Sequence, residues 1–112
     1  MIISLDNIKM TVIQTDPNGI VNDETIFIFS QQQDVVHGAY AGGKINKGFL
    51  VGKSDGQTLN FSYSQLQTNG ELDCGLSTCE LTRNETGKII LTERFEWKSR
   101  PGEFGVNIFM EI

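Results

Sequence analysis

Turn-forming residues recur at short, regular intervals along this chain and divide it into eight segments of strand-like composition. Asn-Gly, Asp-Gly and Gly-Gly pairs supply the positive φ angles that tight β-hairpins need. The seven turn signals are Pro17-Asn18-Gly19, Gln31-Gln32-Gln33-Asp34, Gly42-Gly43, Asp55-Gly56, Asn69-Gly70, the stretch 84–87 and Pro101-Gly102. Hairpin turns at this spacing indicate consecutive antiparallel strands.

The segments between the turns are predicted to be strands, at residues 8–14, 24–30, 34–41, 44–53, 57–67, 71–82, 88–98 and 104–112. No stretch shows sustained helical periodicity with capping residues, so we expect no helix longer than one turn. Eight strands joined by short connections form an up-and-down meander that can close on itself. The sequence therefore predicts an all-β, eight-stranded antiparallel up-and-down barrel. We expect one domain over residues 1–112, with the first seven residues capping one end.

The composition limits the classes of partner. At 112 residues the chain is long enough to bury a core without metal or disulfide staples. Its net charge is −5 at pH 7 and its nine Lys and Arg residues are scattered, whereas nucleic-acid-binding proteins cluster their cations. No apolar run reaches membrane-spanning length, and the N-terminus lacks the pattern of a secretory signal. We therefore expect a cytoplasmic protein with neither a nucleic-acid nor a membrane partner.

Cysteine and histidine provide no metal site by their spacing. Cys74 and Cys79 lie five residues apart, which in a continuous strand places them on opposite faces and too far apart for a disulfide. His37 is the only histidine and alternates against Tyr40, so it is expected on the outer face. We therefore expect free thiols and neither a metal nor a cofactor.

Two segments show clear alternation and so reveal which side chains point inward. One face of residues 89–98 carries Ile89, Leu91, Glu93, Phe95 and Trp97, and one face of residues 57–67 carries Leu59, Phe61, Tyr63 and Gln65. A strand with a period of two turns its apolar set toward the core. Glu93 and Gln65 are thus predicted to lie inside the barrel among aromatic rings.

Glycines also occur inside the predicted strands, at Gly38, Gly48, Gly52 and Gly75. In a strand interior, glycine usually marks a bulge, strong coiling of the sheet or the close approach of another group. We expect a structural role for these positions rather than ligand binding.

A carboxyl group inside an apolar barrel must either be neutralised or receive hydrogen bonds. The inward residues with polar tips that could supply such donors are Tyr40, Tyr63, Gln65 and Trp97. Together these five residues are the candidate ligand site, since aromatic walls with a few polar groups are typical of small-molecule pockets. They equally fit a closed hydrogen-bond network that fills the barrel.

Three functions follow from these residues. The first is non-catalytic binding of a small apolar or amphipathic molecule at the barrel mouth. The second is an interaction module or homodimer with a filled interior, because either Ile26 and Ile28 or Phe27 and Phe29 must face outward in a closed barrel. The third, least favoured, is an enzyme with Glu93 as general acid or base assisted by Tyr63. No catalytic motif supports it, so no catalytic residue is assigned.

Several short sequence motifs resemble those of a family of small bacterial eight-stranded barrels that are similar in shape to lipocalins and avidins. They are Asn22-x-Glu24-Thr25-Ile26-Phe27, Tyr40-x-Gly42-Gly43, Gly48-x-Leu50-x-Gly52, Tyr63-x-Gln65 with Gly70-Glu71-Leu72, and Leu91-x-Glu93-x-Phe95-x-Trp97. Their order and spacing extend over most of the chain, and the resemblance implies a calycin-like barrel. Members have sometimes been labelled N-acetylglutamate synthase. Acetyl transfer from acetyl-CoA normally uses an α/β fold, and no helical segment or pyrophosphate-binding loop is predicted here.

Overall fold

The computed structural model describes residues 2–112. It contains eight strands: β1 (Ile8–Gln14), β2 (Ile26–Gln32), β3 (Val35–Gly42), β4 (Ile45–Ser54), β5 (Thr58–Gln67), β6 (Leu72–Arg83), β7 (Ile89–Trp97) and β8 (Phe104–Glu111). Each strand pairs antiparallel with the next, and β8 pairs with β1, which closes the barrel. The predicted eight-stranded up-and-down barrel is therefore confirmed. Residues 2–112 include no helix that is long and apolar enough to cross a membrane.

Most of the predicted turns are hairpin turns with glycine in the left-handed region. Gly43, Gly56, Gly70, Gly87 and Gly102 have φ angles of 62°, 91°, 91°, 86° and 89°. The connection between β1 and β2, residues 15–25, differs because it is a longer loop. At its Pro17-Asn18-Gly19 signal the glycine is not in the left-handed region but packs against Asn107, whose Oδ1 would lie 2.9 Å from an added Cβ. This stretch, here called the β1–β2 loop, covers one end of the barrel.

The opposite end is closed by the N-terminal segment, as expected for the first residues of the chain. Ile3 and Leu5 are buried in the core. The Ile3 amide donates to the Gly56 carbonyl at 3.0 Å, and the Leu5 amide donates to Gln31 Oε1 at 2.8 Å. These bonds hold two apolar side chains over the opening and cover this end of the barrel.

Strand alternation separates the core from the outer surface. On β5 every second residue is buried, and on β2 the buried residues are Phe27 and Phe29. Ile26 and Ile28 consequently face outward, which settles the alternative that the sequence left open. His37 is exposed, as predicted.

The strand glycines make room for aromatic rings on the neighbouring strand. Gly48 lies opposite Tyr40, and a Cβ at Gly48 would come within 2.3 Å of the Tyr40 ring. Gly75 lies opposite Tyr63, and a Cβ there would come within 2.4 Å of the Tyr63 hydroxyl. Glycine beneath an aromatic ring is a known packing device in sheets. These two glycines therefore determine where both tyrosines of the candidate site lie.

Candidate functional site

The structure brings the five candidate residues together in the barrel interior, beneath the β1–β2 loop. Tyr40, Tyr63, Gln65, Glu93 and Trp97 are all buried, and all five line one cavity. Its walls contain six aromatic rings: Phe27, Tyr40, Phe61, Tyr63, Phe95 and Trp97. The cavity volume is ≈ 20 Å³, which holds about one water molecule.

Glu93 lines this cavity, and two neutral side chains donate hydrogen bonds to its carboxyl group. The Ser77 hydroxyl donates to Glu93 Oε2 at 2.6 Å, and the Asn107 amide donates to Oε1 at 3.1 Å. Burial raises the pKa of Glu93, and these two hydrogen bonds lower it by a smaller amount. None of the four candidate donors bonds to Glu93. Tyr40, Gln65 and Trp97 donate to other groups, and the Tyr63 hydroxyl has no partner among residues 2–112.

A second polar network begins at Tyr40 and leads to the barrel mouth. The Tyr40 hydroxyl donates to Gln65 Oε1 at 2.8 Å, and Gln65 Nε2 donates to Asp73 Oδ2 at 3.3 Å. Asp73 also accepts from Gln67 at 2.7 Å and from Arg100 at 2.9 Å. The barrel interior is thus partly occupied by satisfied polar groups, as the filled-interior alternative requires.

Tyr63 is the exception within these networks. Its side chain is buried, with 6% of the residue exposed, yet its hydroxyl has no hydrogen-bond partner among residues 2–112. Burial, followed by the nearby Glu93 charge, raises the pKa of Tyr63, so the phenol stays protonated. A buried, unpaired hydroxyl costs about 1–3 kcal/mol relative to a hydrogen-bonded one. A polar group on a bound molecule would remove that cost.

The β1–β2 loop is attached to the same residues from above. The Trp97 indole Nε1 donates to the Asn18 carbonyl at 3.0 Å. Asn107 Oδ1 accepts a hydrogen bond from the backbone amide of Asp16 at 2.9 Å, and Asn107 Nδ2 donates one to Glu93 Oε1. Residues 19–21 of the loop line the cavity. Asn107 therefore connects the covering loop directly to the buried carboxyl group.

The sequence did not identify Asn107, Ser77 or Asp73 as part of the site. In β8 the alternation of Asn107 with Phe109 was an available signal, because both are buried on one face. In β6 there was no such signal, since small, polar and apolar residues occur on both faces of the strand. Ser77 and Asp73 could be assigned to the interior only from their pairing with β5 and β7.

The remaining titratable residues do not assemble into a metal site. Within residues 2–112, His, Cys, Asp and Glu form no group of three or more that could hold a metal ion. Cys74 is exposed and Cys79 is buried, and both are free. The prediction that the two cysteines lie on opposite faces of one strand is confirmed.

The fold and the site define the class of this protein: a small closed antiparallel barrel, capped at one end, with an aromatic cavity beneath a loop at the other. Comparison with protein families agrees with this class. The chain belongs to the avidin-like protein family, which it matches over residues 3–112. No curated protein and no solved structure matches the chain.

Proposed function

We propose that this barrel is a non-catalytic binding protein for a small apolar or amphipathic molecule, held in the aromatic cavity at the mouth covered by the β1–β2 loop. Membership of the avidin-like family supports this function, because such small barrels typically bind small molecules. The aromatic walls supply apolar contact area, and Glu93, Gln65 and Tyr63 supply polar contacts.

The observation that carries the proposal is the unpaired Tyr63 hydroxyl in the cavity wall. Unsatisfied buried polar groups are rare, and one that lines a cavity is a natural contact for a ligand. Because the cavity has room for about one water molecule, a larger ligand must displace residues 19–21 of the β1–β2 loop. Binding and movement of the loop are therefore coupled in this proposal.

Replacement of Tyr63 by phenylalanine separates a ligand contact from a structural one. Since the hydroxyl is unpaired, Tyr63→Phe should leave the free energy of unfolding unchanged or raise it by up to about 1–3 kcal/mol. It should also weaken ligand binding. The matched control is Tyr40→Phe, which loses the bond to Gln65 and should be less stable than the parent protein.

Native mass spectrometry of protein purified from its own host identifies a retained small molecule, and the fluorescence of Trp97 then measures its affinity for each variant. A retained molecule that binds equally well to the parent protein and to Tyr63→Phe would contradict the proposed site. Absence of any retained molecule, together with no response of Trp97 to a broad ligand library, would contradict the function itself.

A second candidate function is self-association through the outer face. Ile28, Ala39 and Phe49 are cross-strand neighbours on β2, β3 and β4, and with Ile26 and Val51 they form the outer apolar face. This face carries no acidic residue, whereas the whole chain has a net charge of −5. Two copies can bury apolar surface on both sides here, with Lys9 opposite Ile28 and Lys47 over the Phe49 ring as the neighbouring charges. Sedimentation at low protein concentration tests this candidate, and a strict monomer would contradict it.

A further inference from the structure

The charges around the cavity narrow the chemical class of the ligand. Of the residues that line it, Glu93 alone has an acidic side chain, and none is a lysine, arginine or histidine. Glu93 is hydrogen-bonded only to the neutral groups of Ser77 and Asn107. The nearby guanidinium of Arg100 is paired with Asp73 and Glu71 at the mouth. The barrel therefore holds a buried carboxyl group without a cation to balance it.

From these observations we infer that the ligand is a small organic cation, an amine with an apolar body whose primary ammonium group lies against Glu93 and the Tyr63 hydroxyl. This inference rests on the proposed function, because it names the class of molecule that the same cavity takes. It adds the charge of the ligand, which the proposed function leaves open.

The hydrogen-bonding capacity of the site fits an ammonium group. A carboxylate offers about four lone-pair positions, and Ser77 and Asn107 use two of those on Glu93. The Tyr63 oxygen is also unpaired and can accept a hydrogen bond. An ammonium group is a donor of three hydrogen bonds and is similar in size to the water molecule that the ≈ 20 Å³ cavity can hold.

The aromatic walls favour a cation as well. Six rings surround the cavity, and the face of an aromatic ring attracts positive charge through its quadrupole. The Trp97 ring already makes this interaction with Arg100, whose guanidinium carbon lies 4.7 Å from the ring centroid. The apolar body of the amine would fill the space between the remaining rings once the β1–β2 loop moves.

The loop that covers the entrance is negatively charged, as ionised Glu93 is. The β1–β2 loop contains Asp16, Asp23 and Glu24 and no basic residue. The net charge of −5 over the whole chain adds to this field, which attracts cations and repels anions during association. A carboxylate ligand would meet repulsion at the loop and a second carboxyl group at Glu93, with no cation in the cavity wall to compensate.

The test is a series of ligands that share one apolar tail and differ in head-group charge: hexylamine, hexan-1-ol and hexanoate. Titration at pH 7, followed by Trp97 fluorescence and native mass spectrometry, should show hexylamine binding about ten- to a hundredfold more tightly than hexan-1-ol, since a charged hydrogen bond replaces a neutral one. Hexanoate should bind most weakly.

Two variants show whether Glu93 causes this preference. Glu93→Gln should reduce the preference for hexylamine over hexan-1-ol at least tenfold. Glu96→Gln removes the same charge from the outer face of β7 and should keep the preference. Urea unfolding of both variants establishes whether they are folded. If Glu93→Gln does not fold, the ligand series on the parent protein still tests the inference.

The outcomes separate this inference from the proposed function. If hexan-1-ol or hexanoate binds as tightly as hexylamine, the inference is overturned and the binding function stands. If the preference persists in Glu93→Gln, the amine is attracted by the surface charge alone and the inference is overturned. If none of the three ligands binds, the inference is overturned, whereas the binding function is decided by the retained molecule and the broad ligand library.

Discussion

At Glu93 a carboxyl group is held away from water with Ser77 and Asn107 as its hydrogen-bond partners. Burial raises its pKa above the ordinary value of 4.5, so the folded protein binds a proton more tightly than the unfolded chain does. A group with a raised folded-state pKa destabilises the protein as the pH increases from the unfolded value to the folded one. The stability contributed by protonated Glu93 is fully present below pH 4.5 and is lost above it.

Glu93→Gln should therefore gain stability relative to the parent protein as the pH is raised from 4 to 8. The difference in the free energy of unfolding between the variant and the parent protein should change by at most about 1.4 kcal/mol per pH unit. It should level off above the folded-state pKa of Glu93. Tyr40, Tyr63 and Cys79 do not interfere, because burial raises the pKa of each and they stay protonated over this range. Urea unfolding at several pH values measures the difference. A stability difference that does not change between pH 4 and 8 would show that Glu93 has an unshifted pKa.

Gly48 lies in an unusually tight environment beneath the Tyr40 ring. A methyl group there would overlap the Tyr40 ring, so Gly48→Ala must displace the ring and weaken its hydrogen bond to Gln65. We expect a loss of stability of about 1–3 kcal/mol, the usual range for overpacking. Urea unfolding measures it, with Asn46→Ala on the exposed face of β4 as the control. Equal stabilities for the two variants would show that Tyr40 has room to move.

At the scale of elements, the β1–β2 loop is attached to the barrel through several hydrogen-bonding groups, Asn18 with Trp97 and Phe104 among them. Asn107 is the central one, because its side chain bonds the Asp16 amide on one side and Glu93 on the other. The Asp16 carboxylate in turn accepts from the Val106 amide at 2.9 Å. An alanine at residue 107 would break the first two bonds and leave the third, so the loop should loosen while the barrel stays closed.

Asn107→Ala should accelerate amide hydrogen exchange in residues 15–25 by a larger factor than in β3–β6, where exchange follows the global stability. Loss of the buried hydrogen bonds should lower the global stability by about 1–3 kcal/mol. Hydrogen exchange followed by mass spectrometry distinguishes the two effects. Asn60→Ala is the control, since Asn60 is exposed on β5 and bonded only to Thr78. An equal acceleration of exchange in the loop and in the strands would contradict a specific role of Asn107 in holding the loop.

At the scale of the whole molecule, the fold was predictable because its main signals are local. Turn glycines such as Gly56 and Gly70 and the alternation in β5 and β7 are written in short stretches of sequence. The inward position of Glu93 follows from the same alternation. Its hydrogen-bond partners do not, because Ser77 lies across the β6–β7 pairing and Asn107 across the β7–β8 pairing, and these contacts depend on register.

The outer surface of the barrel is also a property of the whole molecule, since neighbouring strands build it together. Phe49 is exposed in the outer apolar face beside Ala39, while Phe104 is exposed on β8 beside the charged Glu96. The two phenylalanines are thus matched in chemistry and exposure but differ in their surroundings. If two copies associate through the outer apolar face, only Phe49 is buried in the contact.

Phe49→Lys should therefore abolish self-association, because it places two positive charges in a desolvated contact between identical faces. Phe104→Lys changes the net charge by the same amount and should associate as the parent protein does. Sedimentation velocity over a range of protein concentrations measures both. Equal effects of the two substitutions would assign the association to net charge rather than to this face. Because Phe49 points away from the cavity, Phe49→Lys should retain the parent affinity for a small-molecule ligand, which keeps the binding and association functions experimentally separate.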